Sequence, residues 1–221
     1  LFLMIAVFKM RNVHSTIVTG KMSNVLLEGF QYVYHHPTFK QLMITVIILN
    51  VTASSYVALL PVYAKDILHG DEKTLGFLWG AAGVGSLISS MLLASQRSFE
   101  KVHCIILFNI IFCTVGLSIL GIAESYSWYL LAMFLLGFGI STTNISTNII
   151  LQQGTAESLR GRVISIYTST RFGFDALGGL CAGLLASLIA PKSVMFIFAI
   201  ILGTYTLYYF IFLSPKTKIN A

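Results

Sequence analysis

The chain has 221 residues, of which 56% are hydrophobic and 10% charged, and its net charge is +6. Soluble domains carry about 25% charged residues, and a soluble core of this size cannot hide so much apolar surface. Composition therefore excludes an ordinary soluble domain and points to a protein that crosses the bilayer several times. The positive charge is no nucleic-acid signal, and where it falls along the chain says more than its size.

Residues 1–8, LFLMIAVF, are apolar but too short to span, since a spanning helix needs about 20 residues. They also lack the cationic start of a signal peptide. They read as the end of a preceding transmembrane helix, so a longer parent chain is expected. Residues 9–37 read as a cytoplasmic linker. Within it NVLLEGFQYVYHH, residues 24–36, has the spacing of a short amphipathic helix, with Leu26, Phe30 and Val33 on one face and Glu28 and Gln31 turned away. Pro37 ends it, because the residue before proline avoids helical geometry.

Residues 38–214 form the expected bundle. Its six apolar runs cover 38–64, 75–95, 102–123, 127–151, 161–190 and 193–213, and each is long enough to cross a bilayer. Short connections make neighbouring helices antiparallel, and residues 215–221 are left as a tail. With the linker side cytoplasmic, that side holds ten basic residues: Lys9, Arg11, Lys21, Lys40, Arg97, Lys101, Arg160, Arg162, Lys216 and Lys218. The other side holds Lys65, Lys73 and Lys192. This bias puts the C-terminus in the cytoplasm and Tyr126 and Trp128 at the outer interface.

The first run carries Asn50, Thr52, Ser54, Ser55 and Tyr56, then Pro61. That pattern suits a cavity wall that bends, or hydroxyls spent on their own backbone. Asp66, His69, Asp71 and Glu72 follow in a loop that reads as a solvated acidic cluster rather than a metal site. In the second run Gly76 and Gly80 share one row, and Ala81, Gly85 and Ser89 another. Small residues at this spacing let helix backbones approach. GAAGVG at 80–85 lacks nucleotide-loop spacing. The third and sixth runs carry little polarity and read as peripheral.

In the fourth run Ser141, Asn144, Asn148 and Gln152 recur on one helix face. They read as interhelical hydrogen-bond contacts or as one wall of a polar cavity. The fifth run has a small-residue row of Gly178, Ala182, Ala186 and Ala190 beside Gly179, Gly183 and Ser187. It also carries Arg171 and Asp175, in TSTRFGFDALGG. Counted from Val163 at 1.5 Å per residue, these lie about 12 Å and about 18 Å into the helix. They are four residues apart, close enough to pair, and a charge at that depth costs at least about 2.5–3.5 kcal/mol. A structural ion pair and a functional one are both open. Cys104, Cys113 and Cys181 read as small packing residues. No hydrolase, metalloprotease or phosphate-loop motif is present, so no enzyme, metal or cofactor is expected.

ESLRGRVISIY (157–167), with NISTNIILQQ before it, resembles the major facilitator superfamily. LLEGFQYVYHHPTFKQLM (26–43) resembles the central linker entering the seventh helix in the bacterial branch that includes the enterobactin exporter and macrolide-efflux proteins. The resemblance implies an all-α membrane protein: the six-helix C-terminal half of a twelve-helix transporter, built from two inverted three-helix repeats in the bacterial cytoplasmic membrane. It implies that the first and fourth runs line the cavity. The second and fifth would meet the missing N-terminal six-helix half, and Glu157, Arg160, Arg162 and Arg97 would help hold a cytoplasmic gate. MLLASQRSFEK departs from the family pattern by lacking its aspartate and glycines.

The resulting expectation is proton-coupled export of an amphipathic small molecule, such as a siderophore or drug, with the proton gradient as energy source. Arg171 and Asp175 would be the coupling pair, and Asn50, Ser54, Tyr56, Ser141, Asn144 and Asn148 the cavity residues. Gly76, Gly80, Gly85, Gly178, Gly179 and Gly183 would be packing positions. The alternatives are a non-transporting membrane scaffold or sensor, and a half-size transporter acting as a homodimer.

Overall fold

The computed structural model describes residues 22–95 and 102–213. The expected helix end at 1–8, the linker up to residue 21, Arg97 and the 215–221 tail lie outside the described residues. Everything regular in the described chain is helical. The linker helix α1 spans Met22–His35, followed by α2 (Pro37–Thr52) and α3 (Tyr56–Val62), which continues as a π segment, Tyr63–Ile67. Then come α4 (Glu72–Ala94), α5 (Val102–Ile122), α6 (Tyr126–Gly154), α7 (Glu157–Leu188) and α8 (Pro191–Tyr208), the last extended by a π turn at Tyr209–Leu213.

Among the described residues six helical spans are long and apolar enough to cross a membrane: Pro37–Ile67, then α4, Ile105–Ile122 of α5, α6, α7 and Pro191–Ile211. The chain is an all-α, multi-pass membrane protein. Helix starts follow local chemistry. Pro37 and Pro191 sit in the first turns of α2 and α8, where a missing N–H costs nothing. Asp71 caps α4, its Oδ1 accepting from the Thr74 backbone N–H at 3.0 Å and from Thr74 Oγ1 at 3.2 Å. The backbone bond from Thr74 holds the Asp71 carboxyl below the ordinary carboxylate range. A carboxyl lowered by folding stabilises the fold above its unfolded pKa and loses that contribution as pH falls through its folded one. Asp71→Ala should therefore lower the thermal midpoint at neutral pH, and the gap should close on acidification, as a scan of unfolding against pH will show.

One connection differs from the sequence expectation. QQGTAESLRGR reads as a loop, yet α6 runs to Gly154 and α7 begins at Glu157, leaving only Thr155 and Ala156 outside helices. Glu157 favours a helix start there, since an acid in the first turn complements the helix dipole. Glu157, Arg160 and Arg162 thus project from the first two turns of a helix.

The helix pairing has internal symmetry. The first span packs on the fifth, the second on the fourth, and the third on the sixth. Exchanging the first three spans with the last three preserves these three pairings, though not the further close packing of the third span on the fourth, and three is odd, so the two sets run in opposite directions. The core lies where α5, α6 and α8 meet the first span. Ile106, Ile110, Cys113 and Leu117 form the buried stripe of α5, and Val194, Met195, Phe198 and Leu202 that of α8. At one end three donors converge on the close of α5. Tyr63 Oη donates to the Leu120 carbonyl (3.1 Å) and lies 3.3 Å from that of Pro191. Tyr129 Oη (2.6 Å) and Lys192 Nζ (2.8 Å) both donate to Ala123 O. Carbonyls that a helix end leaves without partners are satisfied in this way.

Candidate functional site

The first span is not one helix. Between α2 and α3, Ala53–Ser55 form a turn. Ser54 N reaches back to Leu49 O at 3.3 Å, while Val57 N and Ala58 N bond to Ser54 O and Ser55 O only three residues back. The break falls at the Ser54–Ser55 pair rather than at Pro61, because short hydroxyl side chains offer the backbone alternative partners. Thr52 Oγ1 donates to Ile48 O (2.6 Å) and Ser55 Oγ to Thr52 O (2.5 Å). Asn50 Nδ2 donates to Val46 O (2.7 Å), and its Oδ1 accepts from Ser54 Oγ (3.1 Å). Much of this run's polarity therefore satisfies its own interrupted backbone.

The fifth span lies against that break. A Cβ at Gly178 would come within 2.6 Å of the Val51 carbonyl and 2.9 Å of the Asn50 carbonyl, so the two helices touch backbone to backbone. One turn earlier, half-buried Asp175 lies beside the Ser54 hydroxyl and within electrostatic reach of Arg171 and Tyr56. Arg171 and Asp175 share a helix face without closing an ion pair, and the Arg171 guanidinium lies 4.8 Å from the centre of the Phe172 ring. Asp175, Ser54, Asn50 and Tyr56 are thus brought together, with Arg171 at the edge.

The fourth-span stripe is divided. Gln152 Nε2 donates to Asn148 Oδ1 near the end of α6, and Ser141 is half-buried. Asn144 is sealed inside, where Tyr167 Oη donates to its backbone carbonyl (2.8 Å). Its Oδ1 is without a partner, as are Ser146 Oγ and Thr147 Oγ1. Asn144 stands out in the sequence, whereas Ser146, off the helical row, does not.

The glycines also separate. An added Cβ at Gly85 would collide with the Phe134 carbonyl, and one at Gly137 with the Ala82 carbonyl, so α4 and α6 meet at these two positions. Ser89 and Thr142 extend that contact with a 2.5 Å hydrogen bond. Gly179 makes ordinary contact with Ala58, whereas Gly76, Gly80 and Gly183 have nothing within 4 Å of an added Cβ. Gly137 and Gly139 were not expected from sequence. Gly139 faces Asn109 O and Cys113, and a four-residue row alone does not mark it. Cys113 is buried, but Cys181 is exposed rather than packed.

At the end of the bundle carrying Arg160 and Arg162, the linker helix docks on α7. Arg162 pairs with Glu28, Gly29 packs against Ile166 and Arg162, and Tyr32 Oη lies 3.4 Å from Gly154 O. Phe30, expected on the packed face, is 59% exposed, while Val33 is 6% exposed. Gly29 turns the helix so that Gly29 and Val33 face inward, one turn apart. Glu28, read as turned away, is the counter-ion of Arg162. Asking which acid balances Arg160 and Arg162 would have found it. Exposed pairs contribute about 0.2–1 kcal/mol. Glu28→Gln and Arg162→Gln should each destabilise by less than about 1 kcal/mol, and the double variant by no more than either, in a thermal double-mutant cycle.

Six apolar helical spans among the described residues, the first of them broken and facing an intramembrane carboxylate, have the make-up of a membrane transporter. Residues 1–220 match the model of the transmembrane secretion effector family, within the major facilitator superfamily, and the chain belongs to that family. It is 22% identical over 172 residues to the multidrug efflux pump Tap of Mycolicibacterium fortuitum, covering 77% of this chain and 42% of that protein. It is 23% identical over 187 residues to the staphyloferrin A transporter of Staphylococcus aureus, covering 84% of this chain and 46% of that one. The chain therefore spans less than half the length of these relatives. No solved structure matches it significantly.

Proposed function

We propose that these six helices are one half of a secondary active transporter that exports an amphipathic small molecule, a siderophore or a drug, across a bacterial cytoplasmic membrane by alternating access. The observation that carries this reading is Asp175 in mid-span against the break in the first helix, with Ser54 and Tyr56 around it. Asp175 is the proton-coupling group and Arg171 its electrostatic partner. Asn50, Ser54, Tyr56, Ser141 and Asn148 line the substrate path, with Asn144 sealed behind it under Tyr167. Glu157, Arg160, Arg162 and Arg97 serve the cytoplasmic gate, which Glu28 latches through the linker helix. The efflux and siderophore functions named for the two bacterial relatives support the substrate class.

The remaining helices of the pathway come from a longer polypeptide. The fifth span is the least enclosed of the six, with 11% of its most apolar window buried against 67% for the first. Its open face and the bare row at Gly76 and Gly80 are where a second six-helix half packs. A second copy of the same chain is the competing occupant, supported by the same exposed faces. Reconstituting the full-length protein into proteoliposomes and measuring siderophore or dye efflux under an imposed pH gradient tests the reading. Absence of gradient-dependent flux for every amphiphile tried would leave a scaffold or sensor role.

A further inference from the structure

Between α4, α5 and α6, toward the end of the bundle that carries Arg160 and Arg162, lies a cavity of about 170 Å³. None of its lining residues belongs to the site at the break, so its chemistry is independent of any transport role. Leu92, Phe108 and Phe138 form apolar walls, and Leu92 and Phe108 are more than half exposed at its lipid-facing mouth. The floor is polar: Ser89, Asn109 and Thr142 are 1%, 3% and 5% exposed. Thr142 Oγ1 donates to the Phe138 carbonyl (2.8 Å), so the 2.5 Å contact with Ser89 uses the Ser89 proton and leaves Ser89 Oγ an acceptor. Asn109 Nδ2 donates to the Ile105 carbonyl (2.5 Å), which fixes the amide orientation. Its Oδ1 is then buried without a partner.

The unpartnered Asn109 Oδ1 and the accepting Ser89 Oγ ask for a donor. Among the described residues no carboxylate lines the cavity, so none of them balances an ammonium. Ser89 is five residues from the end of α4 and Asn109 seven from the start of α5. At 1.5 Å per residue they lie about 8–10 Å inside the helix ends, below the headgroups. We infer that this cavity binds a neutral, hydroxyl-bearing amphiphile from the leaflet on the Arg160 and Arg162 side. Its hydroxyl donates to Asn109 Oδ1, and its chain leaves between Leu92 and Phe108.

The test uses the full-length protein in phosphatidylcholine nanodiscs containing a long-chain alcohol with a mid-chain diazirine, or the methyl ether of the same alcohol. After photolysis, labelled peptides are mapped by mass spectrometry. The alcohol should label α4 and α5 around Leu92 and Phe108 about tenfold more than the ether, the worth of one hydrogen bond out of water. Asn109→Leu should bring the alcohol down to the level of the ether. Leu92→Trp, at the exposed mouth, should remove labelling with thermal unfolding unchanged. The alcohol–ether comparison needs no variant. Equal labelling by the two, or none at this cavity, overturns the inference and leaves Asn109 to a trapped water.

Discussion

Asp175→Asn will abolish proton-driven accumulation while leaving the protein folded. A pH difference of one unit is worth about 1.36 kcal/mol per proton. One coupled proton therefore sustains about a tenfold substrate gradient. In proteoliposomes of the full-length protein, that ratio should fall to about one in the variant, with downhill flux retained. Asparagine keeps the size of the side chain and its ability to meet the Ser54 hydroxyl, and removes only the titrating group. Arg171→Gln should keep coupling but shift its pH dependence, because Arg171 acts on Asp175 through space and does not close an ion pair with it. An unchanged pH profile in Asp175→Asn would sink the coupling role.

The largest structural penalty is expected where α4 and α6 touch. Gly137→Leu drives a side chain into the Ala82 backbone, which has no flexible end to give way. Overpacking typically costs about 1–3 kcal/mol, and backbone contact puts this case at about 3 kcal/mol or beyond. The same change at Gly80, with nothing within 4 Å, should move unfolding by no more than about 0.5 kcal/mol within these six helices. A larger loss at Gly80 registers contact with helices beyond them. Thermal unfolding of the purified protein in one detergent, followed by helix dichroism, checks both. Equal shifts at the two positions would deny that Gly137 marks the tight contact.

The helical class and number of spans were readable because bilayer thickness imposes a length and an apolar content that composition displays directly. The break at Ala53–Ser55 was half readable. Polar residues and a proline announced a bend, but its location depended on competition between hydroxyls and backbone carbonyls, which spacing does not resolve. The glycine rows show the same limit. Four-residue spacing names positions able to make close contact, while helix rotation decides which do, so Gly85 and Gly178 are occupied and Gly76, Gly80 and Gly183 are bare. Gly137 stands in FLLGFGIS, where flanking bulk hides it from a search for small-residue rows. Asn144 and Asn148 share a face on a helical wheel but differ in surroundings, because α7 covers one of them through Tyr167 and not the other.

The tyrosine and lysine bonds that close α5 also determine where the first span can flex. Tyr63 fastens its second piece to α5, and Tyr63 Oη also lies against the start of α8. Its first piece is held to α8, where Thr45 Oγ1 and Tyr205 Oη lie 2.6 Å apart. A rod clamped at both ends and cut in the middle concentrates its strain at the cut. Ala53–Ser55 is therefore where the first span can hinge, and the half-buried Asp175 carboxyl sits beside that point, next to the Ser54 hydroxyl.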